Sequence, residues 1–212
     1  MGPEEHQHAT KSLRIRDGER IRLTDGKGTL AIAEFGDQLR IISTWKVKPV
    51  LPNIHVVQAL AKGDRDELAV QTSTELGAAK FTPWQSERSI IRWDEKKALK
   101  GVNRWQSIAN EATKQSHQAW MPQVTPLAKN TDFQVTGQLI VLDPDAEQSL
   151  TSLVIEDDVT LVVGPEGGIS ANELEKLVSR GAQLASLGNS VFRTSTAAPA
   201  AIATIRTLRG WG

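Results

Sequence analysis

The chain has 212 residues, of which 39% are hydrophobic and 24% are charged, and its formal net charge is zero. It contains no cysteine, which excludes disulfides, thiolate metal sites and cysteine nucleophiles. No run of about 18 apolar residues is present and the N-terminus lacks the apolar segment of a secretory signal, so we expect a cytoplasmic protein without a membrane span.

The first 48 residues predict a meander of short antiparallel strands. Three alternating segments are separated by glycine-containing turns, namely Arg20 to Leu23, Thr29 to Phe35 and Gln38 to Trp45. Pro49 and Pro52 then interrupt the pattern, because proline is unfavourable in helices and in central strands. We therefore predict a small domain over residues 1–49, either a β-barrel or a sheet, and a second domain over residues 50–212.

From Ile54 onward, strands alternate with helices, which predicts an α/β fold with a mostly parallel sheet covered on both faces. The predicted strands are Ile54 to Leu60, Lys80 to Trp84, Gln138 to Leu142, Thr160 to Val163 and Gln183 to Leu187. The predicted helices are Asp64 to Leu76, about Val102 to Ala119, the capping box at Ser170 to about Arg180, and Thr196 to Leu208.

Charged side chains are distributed unevenly along the chain. Residues 11–27 carry six basic and three acidic side chains, residues 80–104 carry seven and three, and residues 143–175 carry nine acidic and no basic ones. Two basic surfaces of this kind suit nucleic-acid phosphates. Charge alone favours the simpler interpretation of solvated surfaces with mixed charge.

The glycine-rich segment Gly164–Gly168 follows a predicted strand and precedes a predicted helix. In parallel sheets, ligands bind at the carboxyl ends of strands, and glycine lets a ligand approach bare backbone. The segment matches neither GxxxxGK[ST] nor GxGxxG, and Glu166 would place a carboxylate where a phosphate would lie. The pattern favours a neutral or cationic ligand, with a simple tight turn as the alternative.

A second loop, Leu187–Thr196, combines Arg193 with four hydroxyl side chains between a predicted strand and a predicted helix. The helix behind it consists of small residues, and we place Pro199 in its first turn. A serine nucleophile is not indicated, because GxSxG is absent and no histidine follows Ser195.

The histidines do not indicate a metal site. His6 and His8 are close in sequence, but the chain lacks both cysteine and an HExxH motif. His55 and His117 are isolated, which is typical of structural histidines.

Tryptophans are scattered rather than clustered. We expect Trp84, Trp105 and Trp120 in the core. Trp93 lies between Arg92 and Lys96 and is the best candidate for stacking on a base, with core packing as the alternative.

The motifs together resemble the RsmE family, which are 16S rRNA (uracil-N3) methyltransferases of the SPOUT superfamily. The resemblance lies in Gly164–Gly168, Ser170, Glu173, Leu187–Gly188 and Arg193–Ala197. It continues over nearly the whole chain in His8, Lys11–Arg14, Asp25–Gly26, Lys62–Arg65, Thr74–Gly77, Glu87–Ser89, Arg104–Trp105, Glu111–Ala112 and Gln115–Ser116.

This resemblance implies a PUA-like β-barrel followed by a SPOUT-type α/β domain with a C-terminal trefoil knot, in a homodimer that binds S-adenosylmethionine. The cofactor-binding residues it implies are Leu142, Val163, Gly164, Pro165, Glu166, Gly167, Gly168, Leu187, Gly188, Val191, Phe192, Arg193, Thr196 and Ala197. No metal is implied.

The implied substrate is one uridine of 16S rRNA or the small ribosomal subunit, methylated at ring N3. Arg193 is expected to stabilise the negative charge that develops on the uracil carbonyl oxygens. Glu166 and Gln115 are candidates for the group that accepts the N3 proton, with bulk hydroxide as a third. The residues expected to contact RNA are Lys11, Arg14, Arg16, Arg88 and Arg92.

Four features depart from the family pattern. Thr72–Ser73 stand where the family usually has Lys-Ala, and His117–Gln118 replace a typical Gly-Arg or similar basic pair. Ser195 stands where the family usually has glutamate, which implies altered substrate geometry or weakened activity. The N-terminus is shorter than the family's, as if the first barrel strand were missing or trimmed. The alternative functions are methylation of another RNA position, such as a tRNA ribose 2′-hydroxyl, and a non-catalytic RNA-binding or ribosome-assembly factor.

Overall fold

A computed structural model describes residues 15–211, and these form two units. The first unit comprises the described residues up to Pro49 together with His117–Trp120, and the second comprises Val50–Ser116 and the described residues from Met121 onward. The first unit thus includes His117–Trp120, which the sequence prediction assigned to the domain of residues 50–212.

The first unit contains a three-stranded antiparallel sheet in the order β1-β2-β3. Its strands are β1 (Arg20–Thr24), β2 (Thr29–Glu34) and β3 (Arg40–Lys46), which confirms the predicted meander. Gly28 has a φ of +89°, and a Cβ atom there would lie 2.3 Å from the Trp120 ring, so both the turn and the close contact require glycine. Trp120 is 40% exposed, so its predicted place in the core was wrong.

The second unit is built on a six-stranded sheet in the order β6-β5-β4-β8-β7-β9, and every neighbouring pair is parallel. Its strands are β4 (Asn53–Ala59), β5 (Lys80–Trp84), β6 (Gln123–Val124), β7 (Gln138–Leu142), β8 (Asp158–Val163) and β9 (Gln183–Ala185). Its helices are α1 (Arg65–Glu75), α2 (Glu95–Gln115), α3 (Ala171–Ser179) and α4 (Thr194–Leu208), with a 3-10 turn at Leu150–Ser152.

Alternate residues of the central strands pack into two apolar clusters on opposite faces of this sheet. Val56 of β4 and Leu161 of β8 belong to the cluster that contains Trp105 and Ile202 from α2 and α4. Val57, the next residue of β4, belongs to the other cluster, which contains residues from α3. Side chains alternate along a strand, so helices cover both faces. The predicted α/β fold with a parallel sheet is confirmed.

Several predicted bounds were wrong. Helix α2 begins seven residues before Val102 because the Asp94 side chain caps it by accepting a hydrogen bond from the Lys97 N–H. It ends at Gln115, and His117 then adopts a φ of +56°. Within residues 15–211, no helix has the length and apolar character that a membrane crossing requires.

The C-terminal elements also differ in detail from the prediction. Helix α4 starts at Thr194 rather than Thr196, so Pro199 is its sixth residue and lies beyond the first turn. Strand β9 ends at Ala185, two residues before the predicted end, and β8 starts two residues early. The loop that carries Arg193 therefore begins two residues earlier and ends two residues earlier than predicted.

Candidate functional site

A cavity of about 560 Å³ lies in the second unit, where β7, β8 and β9 end at the carboxyl edge of the sheet. Its volume falls within the range of small-molecule sites. Twelve of the fourteen residues expected to bind a cofactor line it, while Gly188 and Thr196 do not. Both loops singled out in the sequence therefore meet at one cavity.

The glycine loop Gly164–Gly168 is shaped by its own backbone and by the start of α3. Gly168 has a φ of +70°, and a Cβ atom on Gly164 would lie 2.8 Å from Cγ1 of Ile169, so both positions require glycine. Helix α3 begins with the predicted capping box between Ser170 and Glu173. The loop thus presents backbone to the cavity with little side-chain cover.

The segment after β5 is fastened to this loop and to the start of α3. The Glu87 carboxylate accepts hydrogen bonds from Ser170 Oγ at 2.5 Å and Asn172 Nδ2 at 2.7 Å. These two bonds, first Ser170 and then Asn172, hold the pKa of Glu87 below its ordinary value. Arg88 Nη1 donates to the Gly167 carbonyl at 3.1 Å. Arg88, expected on the RNA surface, therefore lines the cavity.

Glu166 is directed toward the start of α1. Its Oε1 accepts hydrogen bonds from Arg65 Nη1 at 2.9 Å and from the Lys62 backbone N–H at 3.1 Å. Partial burial raises the pKa of Glu166, but the hydrogen bonds from backbone N–H groups and from Arg65 outweigh it, so the net shift is downward. An ionised, paired carboxylate is a weak proton acceptor.

Arg193 is the N-cap residue of α4 and lines the cavity without making a side-chain capping bond. The two residues before it, Val191 and Phe192, also line the cavity, with 80% and 39% of their surface exposed. Thr194 lines it as well, and its hydroxyl donates to the Gly164 carbonyl at 2.9 Å. Ser195 is buried in the first turn of α4 and is not a lining residue.

Sequence reasoning missed several lining residues, above all Arg65, Asp143, Asp145 and Thr194. The two aspartates directly follow β7, and their position after a buried strand was the signal that could have identified them. They bring negative charge to a cavity that also contains arginines, so both signs of charge surround the same space.

Other predicted site residues lie elsewhere. Gln115 is the last residue of α2, which leads from the carboxyl edge of the sheet back toward the amino ends of the strands, so the chain's own Gln115 is not part of the cavity. Arg92 donates to the Glu87 carbonyl at 2.6 Å. Arg16 belongs to the first unit and is exposed. Lys11 and Arg14, like His6 and His8, lie outside the described residues.

Two aromatic side chains take structural roles. Trp93 packs edge-on against Trp105 with ring centroids 5.9 Å apart, and its ring lies against Gly101, so core packing, and not base stacking, is its role. His55 is buried, and its Nε2 lies 2.8 Å from Thr82 Oγ1. Burial, and secondly Lys80, lower the pKa of His55 to about 4. Residues 15–211 contain no group of three or more His, Cys, Asp or Glu side chains able to hold a metal ion.

The chain is similar to known RNA methyltransferases. Residues 48–206 match the family described as RNA methyltransferase domain, and residues 2–41 match the family described as RNA methyltransferase PUA domain. The chain is 37% identical to a ribosomal RNA small subunit methyltransferase E of Mycobacterium bovis, over 95% of this chain and 83% of the relative. It is 30% identical to the Bacillus subtilis protein of the same name, over 92% of this chain and 84% of that one.

A solved structure is also similar over nearly the full length. The ribosomal RNA small subunit methyltransferase E of Neisseria gonorrhoeae, crystallised with S-adenosylmethionine, superposes with a TM-score of 0.89. The two are 30% identical, and the match covers 98% of this chain and 90% of the other.

Proposed function

Because this chain belongs to the RsmE family of ribosomal RNA small subunit methyltransferases, we propose that it methylates ring N3 of a uridine in 16S rRNA with S-adenosylmethionine as methyl donor. One observation carries the proposal. The glycine loop and the Arg193 loop, which are separated in sequence by α3 and β9, meet at a single cavity, in a chain that superposes on a relative crystallised with this cofactor.

The cavity fits this cofactor. S-adenosylmethionine has a cationic sulfur, an amino-acid end with both charges, and no phosphate. The lining offers the carboxylates of Asp143 and Asp145, the guanidinium groups of Arg88 and Arg193, and bare backbone in the glycine loop. Leu142 and Leu187 add apolar surface. The residues that would hold the cofactor are the lining residues of the two loops and of the ends of β7, β8 and β9.

When bound, S-adenosylmethionine supplies a methyl group activated by its positive sulfur. Transfer to nitrogen is an in-line displacement, so the protein mainly positions two reactants. Loss of the N3 proton would leave negative charge spread over N3 and the two flanking uracil oxygens, and the N3 electron pair would then take up the methyl group that the cofactor supplies. Arg193, exposed at the cavity, stabilises this charge.

Neither side chain considered as a base is placed to take the N3 proton. Glu166 is held by Arg65 and the Lys62 N–H, and the chain's own Gln115 lies outside the cavity. We therefore assign the proton to solvent hydroxide at the open side of the cavity. The N3 atom lies on the pairing edge of uracil, so the target base must be unpaired or flipped out.

The finer architecture is also a proposal. Strand β9 lies beyond β7 at the sheet edge, whereas α4, which follows it, packs against α1, β4 and β8 near the centre. The chain between them passes the β7–β8 connection, where the Leu150 N–H donates to the Ser186 carbonyl and the Ser186 N–H donates to the Gln148 carbonyl. These contacts support a trefoil knot of the SPOUT type.

The resemblance and the family match over residues 2–41 support a PUA-like barrel in the first unit. Its described strands carry Arg20, Arg22, Arg40 and Lys46, which suits contact with RNA, as does the exposed Arg16. We propose that the partners are 16S rRNA or the small ribosomal subunit and a second copy of this chain, and that the protein works in the cytoplasm, where its RNA substrate is found.

Two measurements test the function. Calorimetry should show binding of S-adenosylmethionine by the purified chain. Small subunits from a strain that lacks the protein should gain N3-methyluridine when incubated with chain and cofactor, as mapped by mass spectrometry of rRNA fragments. Absence of cofactor binding would indicate a non-catalytic factor, and a methyl group at another RNA position would contradict the N3 assignment alone.

A further inference from the structure

Gln58 is a polar residue in a fully buried position. It lies in β4 between Val57 and Ala59, has no exposed surface, and its neighbours pack into the apolar core. Among the described residues, its Oε1 atom has no hydrogen-bond partner. A buried acceptor without a partner destabilises the fold. An apolar side chain of similar volume would fit this strand better, so the amide calls for an explanation.

The amide nitrogen of Gln58 begins a chain of hydrogen bonds that connects three segments. Gln58 Nε2 donates to Thr194 Oγ1 at 2.8 Å and to the Ala59 carbonyl at 3.2 Å. Thr194 Oγ1 in turn donates to the Gly164 carbonyl at 2.9 Å. A hydroxyl has one proton, so accepting from Gln58 leaves that proton free for Gly164. The bonds therefore have a direction, from β4 through the first residue of α4 to the first residue of the glycine loop.

Two of the three residues in this chain of bonds, Thr194 and Gly164, belong to the cavity wall. Gly164 and Thr194 line the cavity, whereas Gln58 does not. The residues before and after them supply the glycine loop on one side and Arg193 on the other. A change in the rotation of the Thr194 hydroxyl would release the two loops from each other without removing any group from the cavity.

We propose that Gln58 is a positioning residue for the cofactor: through Thr194 it holds the glycine loop and the Arg193 loop at the spacing that S-adenosylmethionine binding requires. The identity of the ligand rests on the proposed function. The role explains why an amide that destabilises the core is found at the end of β4.

The test is calorimetry of S-adenosylmethionine with the full chain and no RNA. Gln58→Met, of similar volume but without the donor, should raise the dissociation constant about tenfold while the melting temperature stays equal or rises. Ser73→Ala is the matched control, because Ser73 is also fully buried with an unpartnered oxygen but lies in α1 away from the cavity. It should bind the cofactor as the wild type does.

A second pair of variants tests the same chain of bonds in case Gln58→Met does not fold. Thr194→Val keeps the shape and loses both hydrogen bonds, whereas Thr194→Ser keeps the hydroxyl and should bind the cofactor more tightly than Thr194→Val. The double variant Gln58→Met with Thr194→Val should bind no more weakly than Thr194→Val alone, because both changes break the same chain of bonds.

The outcomes distinguish a failure of the positioning role from a failure of the proposed function. Wild-type affinity in Gln58→Met, equal affinities of the two Thr194 variants, or additive losses in the double variant would each overturn the positioning role while leaving the proposed function intact. Absence of cofactor binding by the wild-type chain would overturn both.

Discussion

Arg193 is a cation at the start of α4 that lines the cavity and caps no helix with its side chain. If it stabilises charge that develops only during the reaction, its removal should lower turnover more than cofactor affinity. We expect Arg193→Ala to reduce kcat about 100-fold or more, by analogy with removal of one oxyanion donor, and to raise the dissociation constant of S-adenosylmethionine by a smaller factor.

Single-turnover methylation and calorimetry measure the two quantities separately. Arg193→Lys is the control that keeps the charge, and it should retain more turnover than Arg193→Ala. Equal turnover of Arg193→Ala and the wild type would remove Arg193 from the mechanism.

Glu166 also lines the cavity, but its carboxylate is hydrogen-bonded to other groups of the protein. Its hydrogen bonds to Arg65 and to the Lys62 N–H keep it ionised and stabilise the glycine loop. We therefore expect Glu166→Gln to weaken cofactor binding severalfold and to leave the shape of the pH–rate profile unchanged. Arg65→Gln, which loses the same ion pair from the other side, should weaken binding in a similar way. Disappearance of an ionisation from the profile of Glu166→Gln would restore it as the general base.

The pair of strands β4 and β5 holds the buried His55, whose pKa is lowered to about 4, first by burial and then by Lys80. The folded state thus favours the neutral ring, and its stabilising effect is complete above the ordinary pKa of 6.5 and is lost as the pH falls toward 4. The free energy of unfolding should fall by at most about 1.4 kcal/mol per pH unit in this window.

Urea unfolding at pH 7 and pH 5 measures this loss. His55→Gln is neutral at both values and should lose less stability than the wild type between them. The pKa of Asp66 is raised, so acidification changes its contribution to the free energy of unfolding in the opposite direction. Asp66 is present in both chains, so the difference between them reports the effect of His55. Equal losses in both chains would assign the pH dependence to other groups.

Local sequence signals predict some elements well and others poorly. Lys80–Trp84 and Gln138–Leu142 have the predicted bounds, and the second strand was easily predicted because its apolar run lies between Gly137 and Asp143. The start of α2 was missed because residues 95–101 are mostly polar and exposed. Its position is decided by the Asp94 cap and by the contact between Trp93 and Gly101. A contact of this kind follows from packing and has no periodic signature.

The candidate site likewise contains residues that the sequence predicts and residues that it does not. The glycine loop and Arg193 are conspicuous in the sequence, and the structure brings both to the cavity. Asp143 and Asp145 reach it only because β7 pairs between β8 and β9, which is a non-local property of the sheet. Arg88 was predicted from its charge to face RNA, yet the Glu87 contacts with α3 bring it against the glycine loop.

The whole chain has no net charge, but its charges are segregated. The basic side chains of residues 15–27 lie in the first unit, and the acidic stretch of residues 143–175 lies in the second, where it contributes Asp143, Asp145 and Glu166 to the cavity. Overall neutrality is therefore compatible with an RNA-binding surface in one unit and a site for a cation-bearing cofactor in the other.

The proposed homodimer gives the last prediction. Apolar side chains are exposed on the elements that surround the cavity: Leu68 is 48% exposed, Ile90 is 70% exposed and Val191 is 80% exposed. Exposed apolar surface beside a binding site is typical of a protein–protein contact. Light scattering on the purified chain should give twice the 23.1 kDa mass of one copy. Leu68→Glu, in the first turn of α1, should shift the mass toward one copy, because it would place a carboxylate at the contact between copies. A chain that remains at 23.1 kDa and is fully active at the same concentration would show that one copy completes the site.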